Sequence, residues 1–197
     1  MARSLKIVVA DDEPRMRAYL RESLIDLGHD VVAVTASGPE LVEACRALRP
    51  ELAVTDVKMP DLDGIEATAE ICRETPLPVV LVSAYHDQAT VERAEAAGVM
   101  AYLVKPIVEA DLVPVIALAI RRFDELQALR KETADLRQTL EERKLIERAK
   151  GLLMKTAGVD EAAAFHRLQK LASQKSKKLI DAARMVLAVE SVFQPQA

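Results

Sequence analysis

Residues 5–14 read LKIVVADDEP, an apolar run that ends at three acidic residues and a proline. The run is short and rich in β-branched residues, which predicts a strand buried on both faces. The following Asp12-Glu13-Pro14 predicts the start of a helix, because proline is well tolerated in the first helical turn. A buried strand followed by a helix is the repeating unit of a parallel α/β sheet.

The same unit occurs five times between residue 5 and about residue 122. The predicted strands are residues 5–10, 31–35, 52–55, 79–83 and 100–104. Between them lie segments whose apolar residues are spaced by three and four, as in helices. Gly28 is expected to end the first helix, and Gly38-Pro39 to begin the second. The pattern predicts a doubly wound α/β domain over residues 1–122.

The composition is that of a globular protein with one or two domains. Of the 197 residues, 50% are hydrophobic and 29% are charged, which excludes collagen, low-complexity disorder and a disulfide scaffold. Cys45 and Cys72 have no CxxC spacing or neighbouring histidine, so we expect a reduced, cytoplasmic protein without structural zinc. No apolar run approaches the roughly 18 residues that span a bilayer, and we expect neither a signal peptide nor a membrane partner.

Charge is distributed unevenly along the chain. Residues 1–140 carry 16 Lys and Arg against 24 Asp and Glu, whereas residues 141–197 carry 11 against 7. A positive surplus on a short segment is typical of a surface that binds a polyanion, although it also fits a solvated lysine-rich face.

Helical periodicity runs without glycine or proline from Pro114 to Gly151. The apolar positions follow heptad spacing with one extra step of three; they are Leu112, Ile116, Ala119, Phe123, Leu126, Leu129, Thr133, Leu136 and Leu140. This spacing predicts a coiled-coil linker over residues 112–140 with one stammer, and hence a homodimer. The alternative is one long helix that packs back on its own chain.

Residues 141–197 contain three predicted helical segments. The first ends before Gly158, Asp160 is expected to cap the second, and Ser176 to cap the third. A three-helix bundle of this size buries little apolar surface, so we expect it to be stabilised by contacts with the preceding helix or with a second chain.

Charged and hydroxyl side chains follow four of the five predicted strands. They are Asp11 and Asp12 after the first strand, Asp56 after the third, Ser83 at the end of the fourth and Lys105 after the fifth. The carboxyl ends of parallel strands meet in one crevice, so these side chains should converge. Crowded carboxylates require a cation, and Mg²⁺ or Mn²⁺ fits their oxygens. Carboxylates, a bound metal ion and a lysine side chain together suit a site of phosphoryl transfer.

The segments VVADDEP, TDVKMPDLDG, VVLVSAY and AYLVKP resemble, in this order, the receiver domain of two-component response regulators. The resemblance covers residues 5 to about 122 and implies a flavodoxin-like, five-stranded parallel sheet of order 2-1-3-4-5. It also implies that Asp56 accepts phosphate from a sensor histidine kinase, and that Asp11, Asp12, Asp56 and the backbone carbonyl of Lys58 hold the metal.

Further roles follow from the same resemblance. The Ser83 hydroxyl and Lys105 ammonium would bind the phosphoryl oxygens, and Tyr102 would be the aromatic switch that moves when Ser83 engages phosphate; its alternative role is simple packing. The Lys105-Pro106 bond is expected to be cis. From position rather than resemblance, Lys58 and Tyr85, two residues beyond Asp56 and Ser83, are expected to flank the path of the water that hydrolyses the phosphate.

The stretch LEERKLIERAKGLLMKTAGVDEAAAFHRLQKLAS, residues 140–173, resembles the ANTAR module, a three-helix RNA-binding domain of antitermination regulators. The resemblance covers roughly residues 141–190 and is weaker in the third helix. Helical spacing predicts that Arg143, Lys144, Arg148 and Lys150 form one stripe that contacts RNA phosphates. Alternatively, the aliphatic stems of Arg148 and Lys150 cover the bundle.

These observations predict a phosphorylation-dependent response regulator that binds RNA hairpins and acts as a transcription antiterminator. The alternatives are a response regulator whose helical C-terminal part binds DNA, or one that binds a protein partner. We expect no enzyme with substrate turnover, because no nucleophile with an attached base is recognisable and His29, His86 and His166 lie on different elements.

Overall fold

A computed structural model describes residues 3–84 and 88–193, with side chains described through residue 188. Five strands form one parallel sheet of order β2-β1-β3-β4-β5, which confirms the predicted topology. The strands are Lys6–Ala10 (β1), Asp30–Thr35 (β2), Leu52–Asp56 (β3), Val79–Ser83 (β4) and Ala101–Val104 (β5). Each lies within one residue of its predicted bounds.

The described residues also form seven helices. They are Pro14–Asp26 (α1), Gly38–Leu48 (α2), Gly64–Glu74 (α3), Gln88–Ala97 (α4), Glu109–Ala157 (α5), Glu161–Gln174 (α6) and Leu179–Phe193 (α7). Pro14 stands in the first turn of α1, and Gly28 follows that helix with a φ of 87°. None of the helices in the described ranges is long and apolar enough to cross a membrane.

The sheet is buried on both faces, which explains the continuous apolar character of its strands. Ile7 and Val9 point to one face and pack in a cluster with residues of α1 and α5, such as Leu20 and Leu112. The alternate residues of β1 point to the other face, into a cluster with α2 and α3 that includes Leu41. Alternation along one strand therefore supplies two hydrophobic layers.

The first part of the predicted coiled-coil seam belongs to this core. Leu112, Ile116 and Ala119 are buried in the cluster on the α1 side of the sheet, and Phe123 and Leu126 pack against it. The prediction that Leu112, Ile116 and Ala119 face a second chain is therefore wrong. A helix that covers a sheet and a helix in a coiled coil both show apolar residues every three or four positions, so spacing does not distinguish them.

The chain divides into two compact units, residues 1–127 and 128–197, which we call the α/β unit and the helical unit. Helix α5 has 49 residues, and the predicted boundary at residue 141 falls inside it. In the helical unit, Ala149 of α5 packs with Leu168 of α6 and Ala183 of α7. These three buried residues form the centre of a three-helix bundle.

The two predicted helix caps of this bundle have different outcomes. Asp160 caps α6 as expected, because its Oδ1 accepts a hydrogen bond of 2.7 Å from the Ala163 backbone N–H. Ser176 does not cap α7, which begins only at Leu179, and its φ of 51° lies in the left-handed region. A capping residue needs extended backbone, so the prediction for Ser176 is wrong.

Candidate functional site

Three carboxylates meet at the carboxyl end of the sheet. Asp11 follows β1 and Asp56 ends β3; these strands are neighbours, so their ends lie side by side. Asp11, Asp12 and Asp56 each offer one carboxylate oxygen, and these oxygens lie within 4.8 Å of one another. Asp11 and Asp56 are buried, whereas Asp12 is exposed. The cluster therefore opens to solvent on the side of Asp12.

Lys105 completes the cluster from the end of β5. Its Nζ lies 2.8 Å from Asp11 Oδ2 and 3.0 Å from Asp56 Oδ1. The Lys105-Pro106 peptide bond is cis, as expected. The Lys105 backbone N–H donates a hydrogen bond of 2.8 Å to the Ser83 carbonyl, which ties the ends of β4 and β5 together.

The charges in the cluster affect one another. Burial raises the pKa of Asp56 above its ordinary value, and the hydrogen bond and charge of Lys105 offset this only in part. Burial would lower the pKa of Lys105, but the hydrogen bonds to Asp11 and Asp56 and the charges of these carboxylates together outweigh burial, so this pKa is raised. Lys105 therefore remains an ammonium at neutral pH.

The donor set fits a divalent cation. Three carboxyl groups converge beside one ammonium, and hard oxygen donors are the ligands that Mg²⁺ and Mn²⁺ prefer. The Lys58 backbone N–H donates a hydrogen bond of 3.1 Å to Asp56 Oδ2, which folds the loop back beside the cluster. No described contact tests the Lys58 carbonyl as a metal ligand, so that role stays a prediction.

The two predicted phosphate-sensing residues flank the site on β4 and β5. Ser83 is buried at the end of β4, where its neighbour Val82 pairs with Asp56. Tyr102 is half-buried and packs with the cluster that contains Ile65 and Ala94 of α3 and α4. Its switch role stays a prediction, as does the role of Tyr85, which lies outside the described residues.

Two features of the site were not foreseen in the sequence. Arg17 of α1 donates from one guanidinium nitrogen to the backbone carbonyls of Asp11 and Asp12, at 2.7 and 2.9 Å. It thereby holds the loop that carries two of the carboxylates. A Cβ on Gly64 would lie 1.9 Å from the Asp56 carbonyl oxygen, so α3 begins in direct contact with the backbone of Asp56. The contact of Arg17 has no sequence signal beyond the identity of the residue. Gly64 ends the segment TDVKMPDLDG, and the receiver resemblance implies that it shapes the loop after Asp56, although not this close approach.

The four cations predicted to contact RNA do not share one exposed stripe. Arg143, Lys144 and Arg148 are exposed, but Lys150 is only 7% exposed. Lys150 Nζ donates to both carboxylate oxygens of Glu147, at 3.0 and 2.9 Å, and to Glu161 Oε1 of α6 at 2.6 Å.

Lys150 therefore links α5 to α6. Its Nζ also lies 5.9 Å from the centre of the Phe165 ring, within the range of a cation–π contact. The hydrogen bonds to Glu161 and Glu147 raise the pKa of Lys150. Placing Lys150 in the exposed stripe is wrong, because this position borders the face of α5 that packs on the bundle.

Comparison with known proteins supports both units. Residues 7–117 match the family model of the response regulator receiver domain, and residues 134–187 match that of the ANTAR domain. The chain is 42% identical over 182 residues to the transcriptional regulatory protein PdtaR of Mycobacterium tuberculosis. The matched region covers 92% of this chain and 89% of that protein.

Solved structures match the α/β unit. The signal receiver domain of a modulated diguanylate cyclase from Desulfovibrio desulfuricans is 30% identical with a TM-score of 0.58, and the match covers 62% of this chain and 98% of that one. The signal receiver domain of the response regulator NarL from Mycobacterium tuberculosis is 28% identical, also with a TM-score of 0.58. That match covers 61% of this chain and 98% of the NarL domain.

Proposed function

Because the chain belongs to the response regulator family, with a receiver domain followed by an ANTAR domain, we propose that it is a phosphorylation-controlled transcription antiterminator. Phosphate would come from a sensor histidine kinase, and the output would be binding to RNA hairpins in nascent transcripts. The phosphorylation part of this proposal is supported by the convergence of Asp56, Asp11, Asp12 and Lys105 at the carboxyl end of the sheet.

The proposed phosphoryl transfer uses the carboxylate of Asp56 as nucleophile. One of its oxygens forms a bond to phosphorus while the bond from phosphorus to the kinase histidine nitrogen breaks, which leaves an aspartyl phosphate and a free imidazole. A Mg²⁺ or Mn²⁺ ion held by Asp11, Asp12, Asp56 and, by expectation, the Lys58 carbonyl would neutralise negative charge on the phosphoryl oxygens.

Lys105 and Ser83 would bind the transferred group. The Lys105 ammonium already lies 3.0 Å from Asp56 Oδ1, so a phosphoryl group on Asp56 would enter its reach. Ser83 ends the strand beside β3 and would donate its hydroxyl to a second oxygen. Tyr102 of β5 packs against the cluster that contains Ala94 of α4, and a change in its position would transmit phosphate binding to α4. We propose no turnover of a further substrate; cytoplasmic location also stays a prediction.

The proposed RNA surface lies on the helical unit. Residues 141–197 have a positive surplus, and Arg143, Lys144 and Arg148 are exposed there. Exposed arginine and lysine on helices suit the phosphate backbone of a folded RNA. Lys150 would act indirectly, by joining α5 to α6.

The RNA prediction is tested by comparing two variants of the phosphorylated full chain. We expect Arg148→Ala to weaken hairpin binding and to lower the slope of log K against log salt by about 1, with an unchanged melting temperature. Lys150→Ala should instead lower the melting temperature of the helical unit, because Glu147 and Glu161 lose their shared partner. Binding is measured across a salt series with a hairpin selected from a pool of randomised loops.

Lys131→Ala is the matched control, because it removes one exposed positive charge from α5 outside the ANTAR match. Equal loss of affinity in Lys131→Ala and Arg148→Ala would show that only net charge matters. Preference of the wild-type chain for duplex DNA over every selected hairpin would favour the DNA-binding alternative.

We also propose that the chain forms a parallel homodimer through a shortened seam, namely Leu129, Thr133, Leu136 and Leu140. The three leucines are 60%, 64% and 54% exposed. The Thr133 hydroxyl donates to the Leu129 carbonyl at 2.8 Å, so it needs no outside partner.

The charges beside this seam favour a parallel orientation of the two helices. The heptad register places Glu125 and Glu132 at g positions, and Arg130 and Arg137 at e positions. In a parallel pair each Glu would face the Arg five residues later on the partner, whereas an antiparallel pair would oppose like charges.

We expect the double substitution Leu136→Glu and Leu140→Glu to convert dimers to monomers, because a coiled-coil core cannot bury unpaired charges without a large cost. Molar mass by light scattering at tens of micromolar, with and without phosphorylation, measures this. The control is Ala134→Glu with Gln138→Glu, which adds the same charge outside the seam. A wild-type chain that is monomeric in both states would contradict the seam.

A further inference from the structure

Gly151 is the one glycine of this chain that neither backbone conformation nor packing explains. Gly28, Gly98 and Gly158 have positive φ angles, a conformation that favours glycine. A Cβ on Gly38 or Gly64 would lie 2.1 or 1.9 Å from a backbone oxygen. Gly151, by contrast, is exposed in the interior of α5, and a Cβ there would meet nothing within 4 Å.

Glycine in the interior of a helix lowers stability relative to alanine. Since a Cβ on Gly151 would meet no atom beyond its own stretch of helix backbone within 4 Å, the glycine provides no closer packing within the described chain to offset this cost. A glycine on the exposed side of a helix, however, allows another molecule to approach the helix backbone more closely than any other residue would. The surface around Gly151 is therefore the part of α5 to consider for contact with another molecule.

Three cations share the face of α5 that contains Gly151. Positions 144, 148, 151 and 155 are spaced by four, three and four, so they lie on one side of the helix. Ile146, Ala149 and Leu153 lie on the opposite side and pack in the bundle. From Lys144 to Lys155 the face extends about 16 Å along the helix axis. We call these four residues, Lys144, Arg148, Gly151 and Lys155, the glycine face.

The glycine face carries a positive surplus. Glu147 borders it, but both of its carboxylate oxygens accept hydrogen bonds from Lys150, at 3.0 and 2.9 Å. Within the part of the chain that the structure describes, Arg148 and Lys155 make neither an ion pair nor a hydrogen bond through their side chains. Lys144 pairs with Glu141 at 2.7 Å, but both side chains are more than half exposed, so this pair is weak. All three cations are exposed and available to a ligand.

We propose that the glycine face receives the phosphate backbone of the bound RNA, with Gly151 at the point of closest approach. This proposal rests on the proposed RNA-binding function and assigns the contact within it. A second copy of the chain is a poorer occupant: in the dimer register proposed above Arg148 and Lys155 lie at b positions, outside the seam. A copy packed in parallel on the glycine face itself would bring each of these cations against its own counterpart and repel it. A polyanion instead gains from every cation on the face.

The proposal makes opposite predictions for stability and binding at one position. Gly151→Ala should raise the melting temperature of the helical unit by about 2–5 °C, because alanine favours the helix and the new methyl group meets no neighbour. The same methyl group should weaken RNA binding about tenfold, the loss expected when a charge-assisted contact is displaced. A residue with only a structural role would not change both quantities in these directions.

The experiment uses the phosphorylated full chain and a hairpin RNA selected on the wild type from a pool of randomised loops. Affinity, melting temperature and molar mass are measured for the wild type, Gly151→Ala, Gly151→Leu and Lys155→Ala. Gly151→Leu should weaken binding more than Gly151→Ala, and Lys155→Ala should lower the salt slope by about 1. Ala134→Leu is the control for bulk, since residue 134 is exposed on α5 away from the glycine face.

Three outcomes would overturn the proposal. The first is wild-type RNA affinity in Gly151→Ala, which would leave the proposed function intact and remove the glycine face from it. The second is a reduced molar mass in Gly151→Ala that accounts for any lost binding, which would assign the face to a contact between chains. The third is a wild-type chain for which no hairpin can be selected, in which case the proposed function fails as well.

Discussion

Asp56→Asn is expected to abolish labelling of the chain by a small phosphodonor in the presence of Mg²⁺. The amide lacks the nucleophilic carboxylate oxygen, and no other described carboxylate has the position of Asp56 beside Lys105 at the end of β3. Labelling is measured by intact-mass spectrometry as the gain of one phosphoryl group. Labelling of Asp56→Asn at the wild-type rate would contradict the assignment of the phosphoacceptor.

The fold of Asp56→Asn should remain intact, which separates lost chemistry from lost structure. In the absence of metal its melting temperature should equal or exceed that of the wild type, because the substitution removes one of three crowded negative charges. The stabilisation by added Mg²⁺ should shrink, because one ligand is lost. Asp61→Asn is the matched control, since Asp61 is exposed in the same loop and outside the cluster.

Gly64→Ala is expected to lower the free energy of unfolding of the α/β unit by about 3 kcal/mol. Its Cβ would lie 1.9 Å from the Asp56 carbonyl oxygen and 3.0 Å from Thr55 Oγ1. The carbonyl belongs to a central strand, so it can move only if β3 or the start of α3 shifts. Either shift displaces the Asp56 carboxylate from Lys105, so phosphorylation should slow as well.

Urea unfolding followed by segment-resolved hydrogen exchange measures this change separately for the two units. Gly151→Ala is a matched control, because the same substitution at an open helical position should stabilise rather than destabilise. Unchanged protection of β3 and α3 in Gly64→Ala would show that the close approach to Asp56 is not required.

The α/β fold and the position of the phosphorylation site can be predicted from the sequence because both depend on short-range patterns. Strands with apolar residues at every position must be covered on both faces, as Ile7, Val8 and Val9 are. The residue that follows a strand is known once the strand is known, and parallel strands end at the same edge. Asp11, Asp56 and Lys105 therefore had to meet, and they do.

Other features were decided only by the tertiary structure. The spacing of Leu112, Ile116 and Ala119 suits a partner helix as well as a sheet, and only the fold shows that their own sheet covers them. Helical periodicity also groups Lys150 with Arg143, yet Lys150 lies in the contact between α5 and α6, bonded to Glu161. Periodicity determines which residues share a face of a helix. What covers that face depends on residues distant in sequence, whose contacts form only when the chain has folded.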